Sequence, residues 1–225
     1  MPASLSDVEL EQLEGIIRHN RRLRKQEYLF RANEATRQVY ALRSGALKTC
    51  LTRRDGSELV TGFVFPGELV GLDAFGGEQF PSHAMALEAS VVCVIPLAPL
   101  EELVGTSARL RRTLLKSMSH ELHSEQQHLS HNRESAGQRF IAFLRDLSVR
   151  NGRRGLSPTQ LILPMTRAEI GSYLGLTTET ISRLFTRYRQ LGLIESNGRE
   201  VRLLDVASLL QLERLDSHEA ACLVG

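Results

Sequence analysis

The chain has 225 residues, 42% hydrophobic and 24% charged, with 28 basic against 26 acidic side chains, a balance that leaves room for two small domains and argues against global disorder. No apolar run approaches the roughly 18 residues a membrane span needs, and the start carries no charged-then-apolar signal pattern, so a cytoplasmic protein with no membrane partner is expected. Cys50, Cys93 and Cys222 are odd in number, far apart and without a CxxC pair, which fits reduced thiols and offers no cysteine-only metal site.

Residues 4–17 predict a short amphipathic helix with Leu10, Leu13 and Ile17 on one side. From about Leu23 to Ile95 the character changes. Apolar or alternating runs at 39–42, 46–51, 59–65 and 84–95 are separated by Ser44-Gly45, Asp55-Gly56, Pro66-Gly67 and Gly76-Gly77, which predicts an antiparallel β-roll or barrel over residues 1–105. Beyond Gly105, Leu115, Leu122, Leu129 and Ala136 recur every seven residues, with Met118, Glu125 and Asn132 at the intervening positions. That stripe predicts a central helix over 106–136 pairing two copies through Leu115, Met118, Leu122, Glu125 and Leu129. The same stripe suits a helix packed on its own roll, and the two are compatible. Glu125 facing its own copy would weaken the seam and make dimerisation conditional. A helix at 138–148 and the basic turn RNGRRGLSP open a third part, 137–225, which ends in a helix at 206–215 and an acidic tail expected to be mobile.

The most informative stretch is 166–204. Thr166 followed by Glu169 makes a capping box that starts a helix; Ile170 and Leu174 share a face, and Gly175 can end that helix in left-handed geometry, with Leu176 tucked beneath it. Thr177 caps a second helix at once, Glu179 sits in its first turn, and Ile181, Leu184, Phe185 and Tyr188 are spaced to pack inward. With Gly171 permitting a close crossing, this spacing predicts a helix-turn-helix. Thr178, Glu179, Ser182, Arg183 and Arg187 are then left outward, at the positions that enter a major groove. Arg183 can fork onto guanine O6 and N7, Glu179 can accept from cytosine N4, and Ser182 is short enough to let the backbone approach. Asn197-Gly198 between apolar runs predicts a hairpin wing, with Arg199 and Arg202 near phosphate. Thr166, Thr180 and Arg199 complete the expected DNA-contacting set.

Charge distribution agrees. Residues 137–204 hold 11 basic side chains, all arginine, against 5 acidic, whereas residues 1–136 hold 16 against 17 and residues 205–225 hold 1 against 4. A compact helical hairpin with a charged face is the alternative, and it leaves the two glycines, the capping box and the wing unexplained.

In this order of parts, an α+β chain of β-roll, central helix and winged helix-turn-helix, the sequence resembles the Crp/Fnr family of bacterial transcription regulators. The likeness covers nearly the whole chain and is strongest in YALRSGALK at 40–48, FPGELVGLDAF at 65–75 and MTRAEIGSYLGLTTETISRLFTRYRQLGLI at 165–194. Glu179, Ser182 and Arg183 look like the reading set of the Fnr branch. The resemblance implies a homodimer on an inverted repeat of TTGAT-type half-sites about one helical turn apart. It also implies activation through RNA polymerase, with Arg54, Asp55 and Gly56 of the turn RRDGSE as a candidate contact; a solvated turn is the plainer reading of that tip.

Two departures bear on cofactors. Cyclic-nucleotide members hold the cyclic phosphate with an arginine after the Gly-Glu-Leu segment; here Gly67-Glu68-Leu69 is present, but residues 55–108 contain no Lys or Arg and eight acids, so no cyclic nucleotide is expected. Oxygen-responsive Fnr relatives hold an iron–sulfur cluster with an N-terminal cysteine group plus one in the roll. Cys93 matches the internal position, the N-terminal group is absent from this sequence, and one thiol cannot hold a four-iron cluster. Cys93 is then expected to be a buried strand thiol, with the alternative that the chain start omits a cysteine segment. His120, His123, His128 and His131 could suggest metal or a haem-based gas sensor, yet only His128 borders the predicted seam, so no metal is expected. A cupin-type enzyme is the rival from another class; its converging ligands are missing, His83 being the one histidine between Leu23 and Ile95.

Overall fold

The computed structural model describes residues 7–116, 118, 119 and 135–214. The chain divides into two compact units, residues 1–125 and 126–225.

In the first unit, helix α1 (Asp7–Ile16) precedes β1 (His19–Leu23), β2 (Tyr28–Phe30), β3 (Gln38–Ser44), β4 (Leu47–Thr52), β5 (Glu58–Val64), β6 (Leu69–Val70), β7 (His83–Ala86) and β8 (Ser90–Pro96), followed by helix α2 (Leu97–Thr106). The strands form two antiparallel four-stranded sheets, β1-β8-β3-β6 and β2-β7-β4-β5. This is the roll. The apolar stretch 84–95 is two strands rather than one, because β7 and β8 belong to different sheets.

The central strands β3 and β8 of the first sheet bury side chains on both faces over Val39–Leu42 and Val92–Pro96, apart from the half-buried Ala41 and Cys93, which explains their nearly continuous apolar runs. Tyr40, Leu42, Val92 and Val94 point between the sheets among Phe30, Leu47, Val64 and Phe80, where Phe30 stacks on Phe80 at 3.8 Å. Val39 and Ile95 instead meet Leu100, Leu110 and Leu114, with Leu13, Ile16 and Met118 packed alongside. Helices therefore close the outside of this sheet. At the β3–β4 turn, Gly45 adopts φ 89°, and a Cβ there would come within 2.6 Å of the Ala89 carbonyl oxygen, so only glycine fits.

Residues 108–116 are helical. Leu115 is 59% exposed, while Met118 leans on the core of the roll. The other predicted seam residues, Leu122, Glu125 and Leu129, lie outside the described residues, as do the four clustered histidines, Asn132, Cys222 and the acidic tail. The heptad does not run unbroken into Ala136, because Ser135 is the N-cap of a new helix, α3 (Ala136–Arg153), with Gln138 completing a capping box. That Ser-x-x-Gln signal stood in the sequence, and it starts the helix two residues before the predicted 138. The helix also runs past 148 into the expected basic turn. Its buried Asn151 donates from Nδ2 to the carbonyls of Ser157 and Gln160, which fixes the chain leaving it.

The second unit continues with β9 (Gln160–Ile162), α4 (Arg167–Leu174), α5 (Thr178–Gln190), β10 (Ile194–Asn197), β11 (Glu200–Leu203) and α6 (Val206–Arg214). Strands β10, β11 and β9 form a three-stranded antiparallel sheet in that order. Phe140, Ile141, Phe143, Leu144 and Leu147 of α3 are buried. The Arg145–Glu213 ion pair at 2.8 Å ties α6 to α3.

Candidate nucleic-acid interface

The local chemistry of α4 starts it where the sequence says. The Thr166 hydroxyl accepts from the Glu169 backbone N–H at 3.2 Å, and Glu169 Oε2 accepts from the Thr166 N–H at 2.8 Å and from its hydroxyl at 2.9 Å. Gly175 ends the helix at φ 64°, ψ 37°. The Leu176 N–H then turns back to the Gly171 carbonyl at 2.8 Å, and a Cβ on Gly171 would lie 2.6 Å from the Leu176 carbonyl oxygen. Backbone meets backbone there, which only a residue without a side chain allows. Thr177 caps α5 by accepting from the Thr180 N–H at 3.1 Å. Ile181, Leu184, Phe185 and Tyr188 are buried, each contributing about 1.5–3 kcal/mol by leaving water. Burying that face leaves the opposite one to solvent.

On the exposed face stand Thr178, Glu179, Ser182, Arg183 and Arg187. Arg183 Nη2 lies 3.8 Å from Glu179 Oε1 with the side chains 72% and 77% exposed, and the Ser182 hydroxyl donates to the Thr178 carbonyl at 2.9 Å. Thr180 is half-buried, with its hydroxyl 2.9 Å from that of Thr177, so it belongs to the cap as much as to the edge. The wing forms one residue later than Asn197-Gly198 suggests. Asn197 pairs with Glu200, leaving Gly198 and Arg199 as the two-residue loop, and Gly198 at φ 58° takes the first loop position, where a type II′ turn wants glycine. Arg199 thus sits at the tip. Arg202 pairs with Glu195 across the strands at 3.5 Å.

Two cations carry no local sequence signal. Arg167, in the first turn of α4, lays its guanidinium over the Phe185 ring at 3.1 Å from the centroid, and burial pushes its pKa below the ordinary arginine value. Arg139, 35 residues before its partner, donates from Nη1 to the Leu174 carbonyl at 2.7 Å. Only the fold brings these together.

In the roll, Arg54, Asp55 and Gly56 form the tip of the β4–β5 hairpin. Asp55 Oδ1 accepts from the Ser57 hydroxyl at 2.6 Å and its N–H at 2.9 Å; these bonds, the hydroxyl first, hold the carboxyl below its usual pKa. Behind the tip, Glu58 pairs with the buried Lys48 at 3.1 Å and accepts from the Tyr28 hydroxyl at 3.1 Å. Cys93 is not buried as expected: it lies half-exposed on β8, its thiol 3.3 Å from Asn20 Oδ1. Cys50 is fully buried on the other sheet. Strand β1 brings a second histidine, His19, into the roll. His83 already has both ring nitrogens engaged, Nδ1 with the Ala32 N–H and Nε2 with Thr52 Oγ1. Among the described residues no group of three His, Cys, Asp or Glu could hold a metal ion. A four-iron cluster needs four ligands, and the two described thiols sit in different sheets; these residues do not fit it.

Residues 20–107 match the cyclic nucleotide-binding domain and residues 138–212 the Crp-like helix-turn-helix domain. The transcriptional activator protein FnrA of Stutzerimonas stutzeri is 45% identical over 213 residues, 94% of this chain and 87% of that protein. The chain belongs to the Crp/Fnr family. The transcriptional activator protein Anr of Pseudomonas aeruginosa is 44% identical over the same shares of the two chains. FixK2 from Bradyrhizobium japonicum superposes with a TM-score of 0.79 at 27% identity, covering 88% of this chain and 98% of that one. A member of this family carrying a Crp-like helix-turn-helix domain is a DNA-binding transcription regulator, not a cupin-type enzyme. No described helix is long and apolar enough to cross a membrane.

Proposed function

We propose that the protein binds an inverted repeat of TTGAT-type half-sites as a homodimer in the cytoplasm, reads the G·C pair of each half-site with Arg183, Glu179 and Ser182, and activates transcription by touching RNA polymerase with the Arg54-Asp55-Gly56 tip. The observation carrying this reading is the exposed Glu179–Arg183 edge of α5, held above a buried face by the Gly171–Leu176 turn. Thr178 and Arg187 flank this reading set on the edge that enters the groove, Thr166 and Thr180 complete the DNA-contacting set, Arg199 at the wing tip lies near phosphate, and Leu115, Met118, Leu122, Glu125 and Leu129 are assigned to the two-fold seam. Selection from randomised duplexes tests the reading: wild type enriches the inverted repeat, and Arg183→Ala loses about 1–3 kcal/mol of discrimination at the G·C pair. A loss spread evenly over all sequences would reduce Arg183 to a phosphate contact.

The roll takes no cyclic nucleotide in this reading, and the regulator works without a cluster or haem. Supporting this, the space between the sheets is filled by Phe30, Tyr40, Phe80 and their aliphatic neighbours, and Glu68 of the Gly-Glu-Leu segment is turned onto the Phe65 N–H at 2.9 Å. Micromolar cyclic AMP or GMP binding by calorimetry would overturn the first point, and a cluster or Soret absorption band after anaerobic purification the second.

A further inference from the structure

We infer that Arg139 is a positioning residue for DNA reading: its guanidinium fixes the angle at which α4, and through the turn α5, stands against α3. The inference rests on α5 being the base-reading helix.

Leu174 is the last residue of α4, an eight-residue helix whose carbonyl end carries partial negative charge and acceptors left over from the helical ladder. The backbone serves some of them, with the Leu176 N–H on the Gly171 carbonyl and the Gly175 N–H on that of Ser172. Arg139 serves Leu174, by a charge-assisted bond of 2.7 Å. The left-handed Gly175 lies directly against it: a Cβ there would stand 3.5 Å from Nη1. The same turn of α3 also meets α5. A Cβ on Gly137 would lie 2.7 Å from the Tyr188 hydroxyl oxygen, and Phe140 packs edge-on to Phe185 at 4.6 Å. One turn of α3 therefore grips both helices of the motif, by an ion-to-carbonyl bond on one and aromatic packing on the other.

The Arg139 Nε–H is buried without a hydrogen-bond partner, a state that costs free energy. A side chain kept there is held by the demand of the turn. Because it is committed to a protein carbonyl, Arg139 is poorly placed to neutralise a phosphate, and that separates a positioning role from a contact role.

The test compares full-length wild type, Arg139→Met and Arg139→Lys for binding to the selected inverted repeat and to a scrambled duplex over a range of salt. Losing a charge-assisted bond predicts that Arg139→Met weakens the specific complex about tenfold or more while leaving scrambled-duplex affinity within about twofold. The salt slope of binding stays unchanged, and Arg139→Lys, which can still donate to Leu174, recovers most of the specific affinity. An unchanged ratio of specific to scrambled binding overturns the inference. So does a uniform loss with a slope smaller by about one, the mark of a phosphate contact, and so does a lysine variant no better than methionine. If Arg139→Met does not fold by circular dichroism, Arg139→Gln takes its place under the same criteria. Should wild type itself enrich no inverted repeat, the base-reading assignment fails instead, a result the comparison keeps distinct.

Discussion

Replacing Gly171 with alanine isolates the contact on which the reading helix depends. The added Cβ would stand 2.6 Å from the Leu176 carbonyl oxygen and 3.4 Å from the Thr177 carbonyl carbon. Both are backbone atoms, so no rotamer change relieves the overlap. Overpacking of this kind costs about 1–3 kcal/mol, and the upper end applies because the struck segment is pinned by the Leu176–Gly171 hydrogen bond. Alanine's better helix propensity returns about 1 kcal/mol, leaving a net loss of about 2 kcal/mol. For a unit of this size that lowers the melting transition by about 8–16 °C, and whatever strain remains displaces the turn and with it the recognition edge. Gly152→Ala is the matched control, since it is also helical and nothing lies within 4 Å of its Cβ; it should stabilise by up to about 0.5–1 kcal/mol. Thermal melts of both full-length variants, with anisotropy titrations on the inverted repeat, decide the matter. Opposite signs are required. If Gly171→Ala melts at or above wild type and still binds the repeat, the close crossing of α4 and the turn is not what places α5.

Thr166→Ala removes the acceptor for the Glu169 N–H and should cost about 1 kcal/mol, read as a lower urea midpoint with an unchanged slope. In the roll, Glu58 loses by desolvation but gains more from the Lys48 ammonium and the Tyr28 hydroxyl, so its pKa lies below the ordinary glutamate value. A carboxyl with a depressed folded pKa contributes stability that is complete above the unfolded value of about 4.3 and is lost as pH falls through the folded one. Acid titration of the full chain should show that loss below about pH 4, and Glu58→Gln should flatten it; an unchanged acid limb would mean the Lys48–Glu58 pair is not linked to folding.

What was legible in the sequence was what acts within one helical turn or one hairpin. The Thr166 capping box, the Thr177 cap and the left-handed Gly175 depend on residues three or four apart, and the buried face of α5 follows from its own period. The Ser135–Gln138 box was equally local and would have started α3 at 136. What stayed hidden was set by distant partners. Strand β1, HNRRL, has no strand-like pattern; it is a strand because it pairs with β8 at the edge of its sheet, and the Arg21 guanidinium ties that edge to β2 of the other sheet by donating to the Tyr28 and Leu29 carbonyls at 3.0 and 2.8 Å. Helix α2 was masked by Pro99 and Gly105, which its first and last turns tolerate. Arg139 and Arg167 gained their places only when α3, α4 and α5 packed.

The arginines of the second unit divide by burial into two kinds of work. Arg167, half-buried over Phe185, and Arg139, bound to the Leu174 carbonyl, cannot leave their places without exposing an aromatic ring or stranding an acceptor. They are suited to holding a frame. Arg183 is 72% exposed, and its pairing with Glu179 at 3.8 Å is of a kind worth only a few tenths of a kcal/mol in water. That bond is easily exchanged for a guanine edge, whose bidentate acceptance is worth about 1–3 kcal/mol against a wrong base. The difference has the sign recognition needs: the loose pair holds the two side chains on one face of α5 in the free protein and opposes docking by far less than the correct base repays. A tighter, buried pair at the same positions would fix the side chains better and read the groove worse.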